Sequence, residues 1–97
     1  MTIRELSKLE GWVYVHLTTA ELGDQLIRQV KAEGFTFADG AKPAEREAAE
    51  VMAVNPDGTI NYVGFVGMMA LGSAEKVGGK PLLQFEYRPE LRPFRIE

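Results

Sequence analysis

The chain has 97 residues, a length that fits a single domain and leaves no room for two. Its net charge of −3 excludes the basic field that non-specific nucleic-acid binding requires. The absence of cysteine excludes disulfide bonds and zinc–thiolate sites, and it favours a reducing, cytoplasmic compartment.

The chain begins with a predicted short helix and a strand. Thr2 and Glu5 have the spacing of a capping box, in which a hydroxyl and a carboxylate accept hydrogen bonds from amides at a helix start, so we expect a helix from Ile3 to Leu9. Residues 12–17 then alternate β-branched with aromatic and polar side chains, which predicts a strand with two different faces. One face carries Val13, Val15 and Leu17, and the other carries Trp12, Tyr14 and His16.

The next segment is the strongest helix prediction in the chain. Thr18 and Glu21 form a second capping-box pattern, and Gly34 follows the last turn, where helices commonly end in glycine. The apolar residues of this helix recur at a spacing of three or four, which predicts one face packed on a sheet. These residues are Leu22, Leu26, Ile27 and Val30. Gly23 lies inside the helix, where glycine costs about 0.8–1 kcal/mol relative to alanine, so we expect another element to approach closely there.

Two short elements are expected after this helix. Phe35 to Phe37 is predicted to form a strand, which ends at Asp39-Gly40. Lys42-Pro43 is expected to open a helical turn that extends to Glu50, because proline is favoured at the first position of a helix.

A hairpin and a final strand complete the expected sheet. Asn55-Pro-Asp-Gly58 has the form of a type I turn, so the strands Val51 to Asn55 and Thr59 to Phe65 are expected to pair antiparallel. The last strand is expected from Leu82 to Tyr87, followed by an extended tail over residues 88–97. The pattern predicts a single α+β domain over residues 1–97, with a mostly antiparallel sheet of about five strands, one main amphipathic helix on one face and a short N-terminal helix.

One long helix covers only one face of such a sheet, so we expect the other face to be a recognition surface. Aromatic rings mixed with polar groups are typical of binding hot spots and ligand platforms. The residues assigned to this face are Trp12, Tyr14, His16, Ile60, Tyr62, Gln84, Glu86 and Arg88. In the alternative interpretation, the N-terminal helix or the turn from Ala44 to Glu50 covers this face, and Trp12 and Tyr14 belong to an ordinary core.

The sequence contains neither a recognisable catalytic or metal centre nor a predicted membrane span. His16 is the only histidine and has no cysteine ligands beside it, and Ser7 and Ser73 lack the pattern of a serine nucleophile. The longest charge-free stretch, Gly58 to Ala74, is interrupted by four glycines and is shorter than the roughly 20 residues of a membrane helix. We therefore expect a protein that is not an enzyme, needs no cofactor and has no membrane partner.

Two further features are candidates for ligand contact. Arg88, Arg92 and Arg95 recur near the C-terminus of an otherwise acidic chain, and arginine is well suited to phosphate and carboxylate groups. Singly, each arginine is explained by pairing with a nearby glutamate, whereas as a cluster they suit a phosphate-bearing ligand or an acidic partner. Phe65 lies in a glycine-rich bend, where a ring and exposed amides suit a base and its phosphates.

The segment from Gly11 to Leu71 resembles a group of small phage and prophage proteins. In that group a strand and a helix lead into a Gly-aromatic-x-aromatic-x-x-Gly turn, here GFTFADG at residues 34–40. A glycine-punctuated hairpin follows, here MAVNPDGTINYVG at residues 52–64. The resemblance implies an accessory role for a phage in the cytoplasm of its bacterial host, often against host immunity. It assigns no functional residues.

Two binding roles agree with this implied setting. The first is a homo-oligomer that sequesters a nucleotide-derived immune signal between its protomers, and the alternative is a protein–protein inhibitor of a host defence factor, as anti-CRISPR proteins are. An enzyme acting on a cyclic nucleotide is a third role, for which we find no base beyond His16 and the glutamates. The candidate ligand or interface contacts are Trp12, Tyr14, His16, Tyr62, Phe65, Arg88, Arg92 and Arg95.

Overall fold

The structure, a computed structural model, describes residues 2–63, 76–77 and 79–88. These residues form two α-helices and six strands, and one turn of 3₁₀ helix (Pro43–Glu45) follows the second strand. The helices are α1 (Ile3–Ser7) and α2 (Ala20–Ala32). The strands are β1 (Trp12–His16), β2 (Thr36–Phe37), β3 (Val51–Val54), β4 (Thr59–Tyr62), β5 (Lys76–Val77) and β6 (Lys80–Glu86).

The strands form a mixed sheet in the order β2–β4–β3–β1–β6–β5. Among the described strands, β1 and β3, β3 and β4, and β5 and β6 pair antiparallel, while β1–β6 and β2–β4 are parallel. The predicted α+β class, with a mostly antiparallel sheet, one main helix and a short N-terminal helix, is therefore confirmed. The parallel pairing brings the last long strand against the first, in the interior of the sheet.

The helix starts confirm the first predicted cap and correct the second. The Thr2 hydroxyl accepts a hydrogen bond from the Glu5 amide at 3.0 Å, and the Glu5 carboxylate accepts one from the Thr2 amide at 3.1 Å. The N-cap of α2 is Thr19, so the prediction of a capping box from Thr18 to Glu21 is wrong by one residue. The physical reason is that the Leu17 amide still donates to a carbonyl of the neighbouring segment, at 2.8 Å, which keeps the chain extended beyond β1.

The main core lies between the two helices and one face of the sheet. Both α1 and α2 pack on this face, because Ile3 and Leu6 of α1 and Leu26 and Val30 of α2 are fully buried in one cluster. The interpretation in which α1 covers the opposite face is therefore wrong. The buried residues of this cluster are Ile3, Leu6, Val13, Val15, Leu17, Leu26, Val30, Phe35, Phe37, Met52, Val54, Ile60, Phe85 and Tyr87.

The helical turn predicted after Lys42-Pro43 is much shorter than expected. It comprises Pro43–Glu45 alone, and Arg46 already has an extended backbone. Tertiary contacts outweigh helix propensity here, since the Arg46 guanidinium bonds the Asp39 carboxylate at 2.6 Å and Ala48 lies against α2 at Gly23. A Cβ atom added at Gly23 would lie 3.4 Å from the Ala48 Cβ, an ordinary contact, so Ala48 packs on α2 at this glycine and still leaves room for an alanine.

The β3–β4 hairpin forms as predicted from its turn. The Gly58 amide donates to the Asn55 carbonyl at 3.4 Å, and Gly58 has a φ of +85°, which glycine adopts without strain. The resulting register places Val54 opposite Ile60. Phe65, at the predicted end of the second hairpin strand, lies outside the described residues.

Candidate ligand-binding surface

The face of the sheet opposite the helices carries the candidate site. Val13 and Val15 pack in the main core, so the alternation along β1 directs Trp12, Tyr14 and His16 to the opposite face. We call this the second face. The parallel register adds three β6 residues directly beside these three side chains. The opposed pairs are Trp12–Leu82, Tyr14–Gln84 and His16–Glu86.

Two residues predicted for the second face lie on the helix-covered side instead. Ile60 and Tyr62 pair with Val54 and Met52, which both belong to the main core. The prediction that Ile60 and Tyr62 share a face with Trp12 is therefore wrong. Alternation shows which residues of one strand lie together, but the register between strands decides which face they share.

The second face is only partly exposed. Trp12 is 38% exposed, whereas Tyr14 is 7% exposed and belongs to a second, smaller core with Val51 and Ala53. Ala53 pairs directly with Tyr14 across the β1–β3 ladder. The expectation that the Tyr14 ring is free for a partner is therefore wrong, and Trp12 is the exposed ring of this face.

The Trp12 end of the second face depends on a close approach between β1 and β6. A Cβ atom at Gly11 would lie 2.4 Å from the Pro81 carbonyl oxygen, so only glycine fits there. The Lys80 ammonium lies 5.2 Å from the centroid of the Trp12 ring, within the range of a cation–π interaction. The sequence alone does not place Lys80 beside Trp12, because it predicts that the last strand begins at Leu82 and does not predict that this strand pairs with β1.

The other end of the second face is polar. The Nε2 of His16 lies 2.8 Å from the side-chain oxygen of Gln84, which is a hydrogen-bonding distance. Glu86 and Arg88 form an ion pair at 2.8 Å, in which the Arg88 side chain stays 46% exposed. We call the row along the two strands the β1–β6 strip. Its members are Trp12, His16, Lys80, Gln84, Glu86 and Arg88.

A groove of about 570 Å³ opens beside the strip at the N-terminal end of α2. His16 lines it together with Thr18, Thr19 and Glu50. Because His16 belongs to both, the groove lies directly next to the polar end of the strip.

The second exposed aromatic ring belongs to a different surface. Tyr62 is 42% exposed, and its ring centroid lies 5.6 Å from that of Phe37 on the edge strand β2. Its hydroxyl donates to the Glu47 carbonyl at 2.7 Å, which fixes the ring. The Arg46 guanidinium lies 5.3 Å from the Phe37 ring while it bonds Asp39. We call this group the Tyr62 patch; it comprises Phe37, Asp39, Arg46 and Tyr62.

Several sequence-based predictions fall outside the described residues. Phe65, Arg92 and Arg95 lie there, so the predicted arginine cluster is represented by Arg88 alone. Within residues 2–63 and 79–88, no group of three or more His, Cys, Asp or Glu side chains is arranged to hold a metal ion. No helix of the described part has the length and apolar character that crossing a membrane requires.

Comparison with known proteins identifies no relative. No protein-family model, no curated protein and no solved structure matches the chain. The resemblance to small phage proteins stays a prediction, and the functional argument depends on the geometry of the two surfaces described above.

Proposed function

We propose that this chain is a non-enzymatic binding protein of a phage, which sequesters a nucleotide-derived immune signal in the host cytoplasm through the β1–β6 strip. The observation that carries this proposal is the exposed Trp12 ring with the Lys80 ammonium beside it. An indole is the best stacking platform among side chains, and stacking a base on an aromatic ring contributes about 1–3 kcal/mol.

The cation beside the ring supports a phosphate-bearing ligand over a purely apolar one. The Lys80 ammonium lies 5.2 Å from the ring centroid, and its flexible stem can reach the phosphate of a nucleotide whose base stacks on Trp12. His16 lies four residues along β1, about 13 Å away at strand spacing. That length exceeds the span of one base, so the strip favours a ligand of two nucleotides.

The shape of the strip supports an oligomer. Small ligands are usually bound in concave sites that bury about 70–90% of their surface. A ligand lying on one face of a sheet would be covered on one side only, so tight capture needs a second wall. A second copy of the chain would supply that wall, and closed homo-oligomers are the commonest assemblies of small proteins.

The test is calorimetric titration with a panel of cyclic and linear mono- and dinucleotides. We expect at least one to bind, and Trp12→Ala to weaken its binding about five- to hundredfold through loss of stacking. Tyr62→Ala is the matched control, because the Tyr62 ring is exposed to a similar extent, 42% against 38% for Trp12, but lies on the other side of the sheet. No binding by any member of the panel, or equal binding by Trp12→Ala, would refute the proposal.

Two further measurements distinguish sequestration between protomers from an enzymatic role and from binding by a monomer. Heat denaturation of the complex should release the nucleotide intact, whereas a degraded product would identify an enzyme. The native mass should exceed that of one chain, and a strict monomer with and without nucleotide would contradict capture between protomers.

The Tyr62 patch favours a second candidate, a protein–protein inhibitor of a host defence factor. Tyrosine and arginine are enriched in interface hot spots, and here both are held in place before any partner binds, by the Glu47 carbonyl and the Asp39 carboxylate. Recovery of one host protein in stoichiometric amount, lost in Tyr62→Ala and retained in Trp12→Ala, would favour this role and not nucleotide capture.

A further inference from the structure

A chain of hydrogen bonds connects the N-terminal helix to the end of the last strand, and it passes through α2. It begins at the Glu33 carboxylate, which follows α2 directly. One carboxylate oxygen accepts from the Ile3 amide at 3.0 Å and the other from the Arg4 amide at 2.8 Å. The carboxylate thus satisfies amides in the first turn of α1 that have no partner within that helix.

The chain continues through the side-chain amide of Gln29. Its nitrogen donates to the Glu33 carboxylate at 2.8 Å, and its oxygen accepts from the Tyr87 hydroxyl at 2.5 Å. The direction of every bond is fixed, because Gln29 uses its nitrogen toward the carboxylate and its oxygen toward the hydroxyl. The backbone amide of Tyr87 donates to the His16 carbonyl at 2.9 Å. Tyr87 therefore links the end of β1 to α2.

The bonds that involve Ile3, Gln29 and Tyr87 are partly buried, whereas the two that Arg4 makes to Glu33 are exposed. Tyr87 is 1% exposed and Ile3 is fully buried, so displacing either one would move buried groups away from their partners. Arg4 strengthens the attachment of α1, since its guanidinium donates to the Glu33 carbonyl at 3.0 Å and lies 4.6 Å from the Phe35 ring centroid. The five residues of α1 are too few for a helix that is stable alone, so its order depends on this attachment.

We propose that the docking of α1 and the placement of Tyr87, at the end of β6, are coupled through Gln29 and Glu33. Coupling between two sites is reciprocal. A partner that displaces α1 therefore loosens the segment beside His16 and Arg88, and a ligand that immobilises this segment holds α1 in place. The proposal stands on the hydrogen bonds and does not depend on which ligand the protein binds.

The test is amide hydrogen exchange in the full chain, resolved by residue. Tyr87→Phe removes the hydroxyl and keeps the ring, and it should accelerate exchange of the Ile3 and Arg4 amides about three- to tenfold relative to the β1 amide of Val15. Gln29→Met is nearly isosteric, interrupts the chain in the middle, and should have the same effect. In a Glu33→Gln background, the effect of Tyr87→Phe should be much smaller.

The control is Asp39→Asn, which breaks the ion pair with Arg46 after the edge strand β2 and removes none of the hydrogen bonds of this chain, so it should leave the ratio of Ile3 to Val15 exchange unchanged. An unchanged ratio in both Tyr87→Phe and Gln29→Met would overturn the proposal. Equal acceleration of the Ile3 and Val15 amides would also overturn it, because that result signifies global destabilisation without coupling.

Discussion

Replacing Gly11 by alanine tests the contact that places the first and last strands side by side. Gly11 has a φ of +124°, a conformation that costs an L-residue about 1–3 kcal/mol. The added Cβ would also lie 2.4 Å from the Pro81 carbonyl oxygen and 3.2 Å from the Pro81 carbonyl carbon. The oxygen is a backbone atom inside β6, so the strand must move away to relieve the clash.

The magnitude follows from adding these two effects. Displacement of β6 at this end weakens one or two ladder hydrogen bonds, each contributing about 0.5–1.5 kcal/mol. Together with the backbone strain, we expect Gly11→Ala to lower the free energy of unfolding by about 1.5–6 kcal/mol. That is a large fraction of the roughly 5–15 kcal/mol of a typical domain.

Urea unfolding measures the change, and Gly34→Ala is its matched control. Gly34 also has a positive φ, +82°, but nothing lies within 4 Å of its added Cβ, so backbone strain alone destabilises this variant. Trp12, the only tryptophan, follows Gly11 directly, so its fluorescence should change in folded Gly11→Ala and not in Gly34→Ala. Equal destabilisation by both substitutions would refute the close approach of β1 to β6.

Three other substitutions test the segment between β2 and β3, which packs against α2 at Gly23. Gly23→Ala should raise the free energy of unfolding by up to about 1 kcal/mol, because the alanine Cβ would make an ordinary 3.4 Å contact with Ala48. Gly23→Val should lower the free energy of unfolding, because the larger side chain would crowd Ala48. A loss of stability in Gly23→Ala, measured by urea unfolding, would contradict this prediction. The hydrogen bond from the Ala41 amide and the contact with Arg46 lower the pKa of Asp39 from its ordinary 3.8. The ionised Asp39 carboxylate therefore stabilises the fold above pH 3.8, and this stabilisation is lost as the pH falls through the lower pKa of the folded state. Thermal melts should therefore show wild type more stable than Asp39→Asn at neutral pH, with a difference that shrinks in acid, and a difference independent of pH would contradict the assignment.

The sequence by itself determined the elements that depend on near neighbours. The cap at Thr2 joins residues three apart, and the turn at Gly58 closes on Asn55, also three residues away. The apolar spacing of α2 likewise selected its buried face, at Leu26 and Val30. These interactions form within a few residues, so their residue types and spacing suffice to predict them.

Only the tertiary structure decided how the candidate surface is assembled. The bond between His16 and Gln84 joins residues 68 positions apart, and no local pattern encodes that β1 and β6 pair in parallel. The same pairing brings Lys80 to Trp12, while the registers of β3 with its neighbours turn Tyr62 toward the helix side and bury Tyr14 over Ala53. Alternation along a strand shows which side chains lie together, but strand pairing is a property of distant segments, and it decides which faces meet and which rings stay exposed.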